Sequence, residues 1–256
     1  MIRIIKNTLK QYLMHREMRA AQRYFFTDRK AISTQFSLNY FDLGAHTGQE
    51  IEILMRQFDR AATSDLGAIN IFAIEPHPVY FQQLVRRFSN HGIYKACFWN
   101  IGVSSREGVQ KLHVHPNSLG HSLYQDKSGV TQAFVPTISM RLSTLLHDLP
   151  KSDHDINVLK ANIEGAEIDV LEDLESHSLL GYFDFYLGSA PGKFSDIAKV
   201  TSLREAGKVE QADRILRKES ISILKFSHAN PQWQNVDLRM KVEEEIERRK
   251  KLRKET

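Results

Sequence analysis

The sequence predicts an α/β domain, a mostly parallel sheet with helices on both faces. Three observations carry that expectation. Short apolar runs of strand length alternate with stretches of helical spacing through most of the chain. The runs end at glycines or polar residues of the kind that punctuate strands, such as Gly44, Glu75-Pro76 and Gly188. The 256 residues, 41% hydrophobic and 26% charged, are enough for one large α/β core and too apolar for wholesale disorder.

In chain order, Ile2, Ile5, Leu9, Tyr12 and Leu13 recur at helical steps and predict a basic helical segment over 1–36. It packs on the domain or touches an anionic surface; peripheral membrane contact by residues 1–30 stays open. Packing is favoured, because no polybasic block there is denser than Arg29-Lys30. The domain proper is expected over 37–230. Its first strand is Leu38–Leu43, and a helix follows over Gln49–Phe58 with Ile51, Leu54, Met55 and Phe58 on one face. A second strand, Ile69–Ile74, precedes a helix with Val79, Leu84, Val85 and Phe88 apolar, and a third strand covers Ile93–Trp99. Residues 104–136, with three glycines and two prolines, predict loops and an edge hairpin over the sheet. Alternation resumes with a helix near Arg141–His147, a strand over Ile156–Ile163, a helix bearing Ile168, Leu171 and Leu174, and a strand over Phe183–Leu187 stopped by Gly188. A helix over 193–218 and a strand over Ile221–Phe226 complete the domain, and 231–256 reads as a charged, solvated helical tail.

Charge and cysteine usage exclude several functions. The net charge of +4 comes from the ends: residues 1–30 carry +6 and 237–256 carry +2, leaving −4 on the body. That opposes a nucleic-acid groove across the domain. The single cysteine, Cys97, excludes an internal disulfide or a multi-cysteine metal site and reads as a buried thiol. His113 and His115 alternate along a strand, but no third ligand has helpful spacing, so no metal is expected. No apolar stretch approaches a membrane span, and arginine and lysine interrupt the N-terminal apolar residues, which opposes a secretory signal; a cytoplasmic protein is expected.

Three strand ends carry chemistry. In Phe41-Asp42-Leu43-Gly44-Ala45-His46-Thr47-Gly48-Gln49 an acidic residue ends a strand and a Gly-x-x-x-Gly turn opens a helix. Gly44 would let backbone approach a ligand, and the helix amides point at whatever occupies the turn. The dinucleotide fingerprint's middle glycine is missing, which favours a smaller, nucleoside-type ligand over a pyrophosphate. The bland alternative is an ordinary strand–helix turn. The next strand ends in Glu75-Pro76-His77-Pro78, whose carboxylate can accept both hydroxyls of a ribose; the alternative is a surface glutamate. Paired acids at these two tips suit S-adenosylmethionine, Asp42 for its cationic amino-acid end and Glu75 for its ribose. The third end, Lys160-Ala161-Asn162-Ile163-Glu164-Gly165-Ala166-Glu167, puts Lys160 and Asn162 on one strand face. The alternative there is helix capping by Glu164 and Glu167.

In order, these segments resemble the FkbM-type methyltransferases: Asp42–Gly48, Glu75–Pro78, Asn100-Ile101-Gly102-Val103-Ser104 and Lys160–Glu167, with Gly120-His121-Ser122-Leu123 and Val135–Leu142 between. The resemblance covers roughly 38–190 and implies a Rossmann-like class I methyltransferase fold, S-adenosylmethionine as cofactor, and methyl transfer to a hydroxyl oxygen of a sugar or natural product. It implies cofactor contacts from Asp42, Gly44, Ala45, Thr47, Gly48, Glu75, Pro76, Ile101 and Gly102. Lys160, Asn162 and Glu164 are the candidates beside the acceptor, a small molecule or carbohydrate, with Glu164 or His121 as base. Three positions depart from the pattern. Asn162 stands in place of Asp, Ser143 in place of the Asp of Leu-Asp, and Gly188-Ser189-Ala190-Pro191-Gly192 in place of a glutamate-containing segment. The first and the third support a rival reading, a binding or scaffolding protein that keeps the cofactor fold without turnover. A dinucleotide enzyme is a weaker rival.

Overall fold

The computed structural model describes residues 35–59, 65–89, 95–117, 119–147, 149, 151–189, 195–218, 222–226 and 238–255. The basic helix expected over 1–36 lies almost wholly outside them. The strands in chain order are β1 (Phe36–Leu43), β2 (Leu66–Ile74), β3 (Lys95–Trp99), β4 (Gly102–Val103), β5 (Gly108–His113), β6 (Phe134–Met140), β7 (Asp155–Ala161), β8 (Phe185–Ser189) and β9 (Ser222–Phe226). The helices are α1 (Gln49–Asp59), α2 (Pro78–Phe88), α3 (Leu142–Leu146), α4 (Glu167–Ser176), α5 (Ser195–Ala198), α6 (Thr201–Glu205), α7 (Lys208–Lys218) and α8 (Leu238–Glu255).

Six strands form one sheet in the order β3-β2-β1-β7-β8-β9, every pair parallel. Both faces are covered, so its central strands are near-continuous apolar runs. Leu38 and Tyr40 of β1 and Ile156 and Val158 of β7 pack with Ile51, Leu54 and Phe58 of α1, Leu84 of α2, and Leu238, Val242 and Ile246 of α8. Phe41 and Leu43 face the other way, toward Leu142 of α3, Ile168 and Leu171 of α4, and Ile215 of α7. The expected α/β fold with helices on both faces is present. Strand order reverses at β1 and β7, and the crevice outside their carboxyl ends is where such sheets bind ligands.

A polar ladder crosses the middle of the sheet. Asn70 donates to Asn39 and Asn39 to Asn157, both at 2.7 Å, and Asn157 donates to the Tyr182 carbonyl at 2.9 Å. The three asparagines are register partners, so a one-residue slip would break every link.

Several expected elements differ. The stretch 193–218 is three helices in its described part, broken at Gly207, whose φ of +65° ends α6 before α7 starts. The strand expected over Ile156–Ile163 stops at Ala161, and β8 runs through Gly188 to Ser189. Val79 faces solvent, since Pro78 starts α2 with its first turn clear of the core. The hairpin expected within 104–136 is a separate sheet, β4-β6-β5, with β5 antiparallel to β6. The tail is not merely solvated. Leu238, Val242 and Ile246 recur every four residues and bury one stripe of α8. Beyond that stripe, Arg249 donates to the Asp155 carbonyl at 2.8 Å and pairs with Asp184.

Candidate functional site

The turn after β1 is specified amide by amide. Gly44 and Ala45 donate to the Ile74 carbonyl at 2.9 and 3.0 Å, Gly48 donates to Ala45, and His46 donates to Glu75 Oε2 at 2.8 Å. Gly44 has φ +79° and Gly48 φ +80°. A Cβ on Gly44 would lie 2.2 Å from the Asn162 carbonyl oxygen, and one on Gly48 would lie 2.1 Å from Phe88. Both glycines are therefore demanded by protein–protein approach. That corrects the expectation that Gly44 exists to admit a ligand. Ala45 turns its methyl into the core, and the Thr47 carbonyl accepts from Arg87 at 3.3 Å.

Glu75 ends β2 as expected. Its two carboxylate oxygens accept the His46 and His77 amides, each at 2.8 Å, and the side chain is buried. Burial pushes its pKa up to about 7, against the pull of those two amides and of Lys160. Each oxygen keeps a lone pair, so a diol can still be accepted there. Asn100 fixes the Glu75-Pro76 loop by donating to the carbonyls of both residues at 2.8 and 3.1 Å. Ile101, however, points into the core, and a Cβ on Gly102 would meet only ordinary contacts from Leu123 and Ser139. Neither side-chain position opens toward Glu75.

Lys160 is not free for an acceptor. Register sets it opposite Asp42 on the α1 face of the sheet. Its Nζ is 2.7 Å from Asp42 Oδ1, pairs with Glu50 of α1, and donates to the Gly44 carbonyl at 3.0 Å and, longer, to that of Leu43. Burial alone would lower its pKa; Asp42 and Glu50 outweigh that and hold it above the ordinary lysine range. Burial pushes Asp42 up to about 6 despite Lys160. Lys160 thus clamps the turn from beneath. Asp42 is fully buried, and its Oδ1 supports that clamp.

Asn162 lies beyond the strand, and so does not share a strand face with Lys160. Its amide donates to the Leu43 carbonyl at 3.1 Å; from there the chain curls into a nest around Glu167. The amides of Ile163, Glu164 and Gly165 all donate to the Glu167 carboxylate at 2.7–3.0 Å. Glu164 takes a left-handed φ of +60°, and its carboxylate pairs with buried Lys127 at 2.8 Å. That ion pair opposes Glu164 as the base. Capping by Glu167, the bland alternative, is what the backbone shows. Ser122 donates to the Glu164 carbonyl at 2.7 Å, which brings the segment around 120–127 to this loop.

Apart from His121, named above as a candidate base, the residues that sequence reasoning missed are rings. His46 and Tyr80 lie 4.2 Å apart, Tyr80 and His77 4.5 Å, and His77 and His121 4.9 Å, in tilted to stacked pairs beside Glu75. Among the described residues, both ring nitrogens of His46, Nδ1 of His77 and Nε2 of His121 are buried with no hydrogen-bond partner. Burial lowers the pKa of all three histidines, that of His121 to about 4, so the stack is neutral at pH 7. Nδ1 of His121 accepts the His115 amide at 2.9 Å. Its proton therefore sits on Nε2, which is a donor and has no lone pair to act as base. His46 and His77 occupy the variable places of their motifs, and only Tyr80, one turn into α2, could have signalled the stack.

Elsewhere, Ser143 donates amide and hydroxyl to Asp173 at 2.7 Å each, tying α3 to α4. β5 ends at His113, so His113 and His115 do not share a strand face. Among the described residues no group of His, Cys, Asp or Glu is placed to hold a metal, and no helix is long and apolar enough to cross a membrane. Cys97 is buried, its pKa pushed up to about 12.

A family profile described as "Methyltransferase FkbM domain" matches residues 42–185, from the acid at the tip of β1 to the start of β8. Searches of curated proteins and of solved structures gave no match.

Proposed function

This chain belongs to the FkbM methyltransferase family, and from that premise we propose an S-adenosylmethionine-dependent O-methyltransferase acting on a hydroxyl of a small-molecule or carbohydrate acceptor in the cytoplasm. Residues 37–230 form the catalytic domain in this reading, with 1–36 and 231–256 as attached segments. The observation that carries it is Glu75: a buried carboxylate at the β2 tip, with its two oxygens squared by the His46 and His77 amides and lone pairs to spare. The unpartnered nitrogens of His46, His77 and His121 around it also fit a polar ligand there, because a buried polar atom left unmatched costs about 1–3 kcal/mol.

The cofactor supplies a methyl group already activated by a positive sulfur. The protein's work is placement. Glu75 accepts the ribose hydroxyls. Gly44, Ala45, Thr47 and Gly48 shape the turn, whose rigidity comes from Lys160 below, and the amino end of α1 faces an anionic carboxylate. Pro76, Ile101 and Gly102 contribute backbone beside Glu75. Asn162 and the loop to Glu164 bound the acceptor side, where Asn162 orients a hydroxyl without taking its proton. Lys160, Glu164 and His121 are each engaged or protonated at the wrong atom for base catalysis. In this scheme the acceptor proton would leave to solvent as the carbon–oxygen bond forms and the carbon–sulfur bond breaks, its electron pair staying on sulfur.

The Lys127–Glu164 pair and Asn162 favour a second reading, a binding protein without turnover. Calorimetry with S-adenosylmethionine, S-adenosylhomocysteine and NAD tests the cofactor; preference for NAD would sink both readings. Methyl transfer to a panel of hydroxyl acceptors then separates enzyme from binder. Asn162→Asp sharpens that test. A retuned enzyme should show a shifted pH–rate profile, and a lapsed one should gain turnover.

A further inference from the structure

Beneath the cofactor turn lies a charge imbalance that placement alone does not require. Asp42 and Glu50 bring two carboxylates to the single ammonium of Lys160, so the cluster carries a net charge of −1. Water scarcely reaches it: the side chains of Lys160, Asp42 and Glu50 are 1%, 0% and 14% exposed. Asp42 Oδ2 is buried with no hydrogen-bond partner among the described residues. Among the described residues, the groups that face the cluster add no positive charge. Tyr40, one residue pair back along β1, is pushed well above its ordinary range by burial and then by Asp42 and Glu50, and stays neutral. His46 in the turn is pushed down by burial and then by Lys160, and stays neutral. Glu75 across the turn adds negative charge whenever it ionises. A buried net charge is costly, and a cation brought close to it offsets that cost.

We propose that the Asp42–Lys160–Glu50 cluster is a charge selector, which favours a ligand bearing a positive sulfonium over the otherwise matching thioether. This deepens the S-adenosylmethionine reading and rests on it. Substrate and product forms of the cofactor share ribose, adenine and amino-acid ends, and differ at the sulfur by one methyl and one unit of charge. The cluster grips the carbonyls of Leu43 and Gly44, the backbone of the turn itself, so its field reaches whatever the turn holds. A unit charge about 12 Å away, at an effective dielectric constant of about 20, changes affinity by about tenfold. The spent cofactor thereby lacks an attraction that the fresh one has, which favours its release.

The experiment is calorimetry on the full chain with S-adenosylmethionine and S-adenosylhomocysteine separately. Glu50→Gln removes one charge and leaves an oxygen for Lys160. It should weaken S-adenosylmethionine about tenfold and leave S-adenosylhomocysteine within about twofold. Glu210→Gln, which removes the same charge from α7, should change neither. Equal losses for both ligands in Glu50→Gln, or no loss for either, overturn the selector. Should Glu50→Gln fail to fold, the pH dependence decides, read in Glu75→Gln so that the charge of Glu75 itself does not contribute. The ratio of the two affinities should fall between pH 8 and pH 5 as Asp42 takes up a proton near pH 6. A constant ratio overturns the proposal. A parent chain that binds neither ligand overturns the S-adenosylmethionine reading as well, and so the two failures are told apart.

Discussion

Two kinds of buried polar group lie three positions apart on β1. Asn39, in the middle of the sheet, sits in a ladder from Asn70 to the Tyr182 carbonyl in which no buried atom is left over. Asp42, at the strand tip, keeps one oxygen without a partner, and beside Glu75 at the neighbouring tip the rings of His46, His77 and His121 keep four such nitrogens. Both sets are shielded from water, so the difference is in matching. Matched groups fix register and cost little; unmatched ones are costly in the ligand-free protein and mark where a ligand's own polar atoms belong. The two regions should therefore answer mutation in opposite ways, the ladder in stability and the strand tips in binding.

The largest effect should come from the ladder. Asn39→Leu strands the Asn70 amide and the Asn157 oxygen in the core, and should lower stability by about 3–5 kcal/mol in urea unfolding. The folded fraction should bind S-adenosylhomocysteine unchanged. A loss below about 1 kcal/mol would break the contrast. Gly44→Ala comes next and belongs to both regions. Its Cβ meets the Asn162 carbonyl at 2.2 Å with φ at +79°, so stability should fall by about 2–3 kcal/mol together with cofactor binding. Binding lost in a protein of parental stability would mean that the turn tolerates a side chain.

Glu75→Gln should weaken the cofactor by about 1.5–3 kcal/mol, read by calorimetry. With Glu75 raised to about 7, parental affinity should climb as pH rises from about 6 to 8, because the ionised form accepts the hydroxyls. The variant should show a flat profile, and a climb that persists in it would move the effect elsewhere. Without ligand the sign reverses. A raised folded pKa favours the protonated state, so Glu75's contribution to stability is full below its ordinary 4.5 and is lost as pH rises through about 7. The smallest effect is expected from His77→Phe, which keeps a ring on Tyr80 and deletes an unpartnered nitrogen. Stability should hold or rise by up to about 1 kcal/mol while cofactor affinity falls. A destabilised variant would show that the nitrogen is matched after all.

The sheet was legible because its cause is local. Leu38–Leu43, Ile69–Ile74 and Ile156–Ala161 are apolar runs whose period and end signals lie within a few residues. Glu75 and the turn glycines were legible for the same reason. Lys160 was misread because its partners are not local. Glu50 stands one helix after β1, and the two meet only because β1 and β7 pair across more than a hundred residues. Lys127 on Glu164 is hidden in the same way. Asn162 looked like strand because nothing nearby announces that Glu167 gathers the amides of Ile163, Glu164 and Gly165. In α8 the charges outnumber the apolar residues, yet Leu238, Val242 and Ile246 are spaced to meet one surface, a signal present in the sequence but masked by composition.

The docking of α8 also sets a timetable. Its three apolar residues close the same cluster as Ile51, Leu54, Met55 and Phe58 of α1. On the ribosome α1 is made early, and residues 238–255 follow only after roughly ten to forty seconds of further elongation. Through that interval the part of this apolar cluster that Leu238, Val242 and Ile246 cover stays open. Transiently exposed apolar surface of this kind is what holding chaperones bind, and slow translation anywhere between β2 and α8 lengthens the exposure.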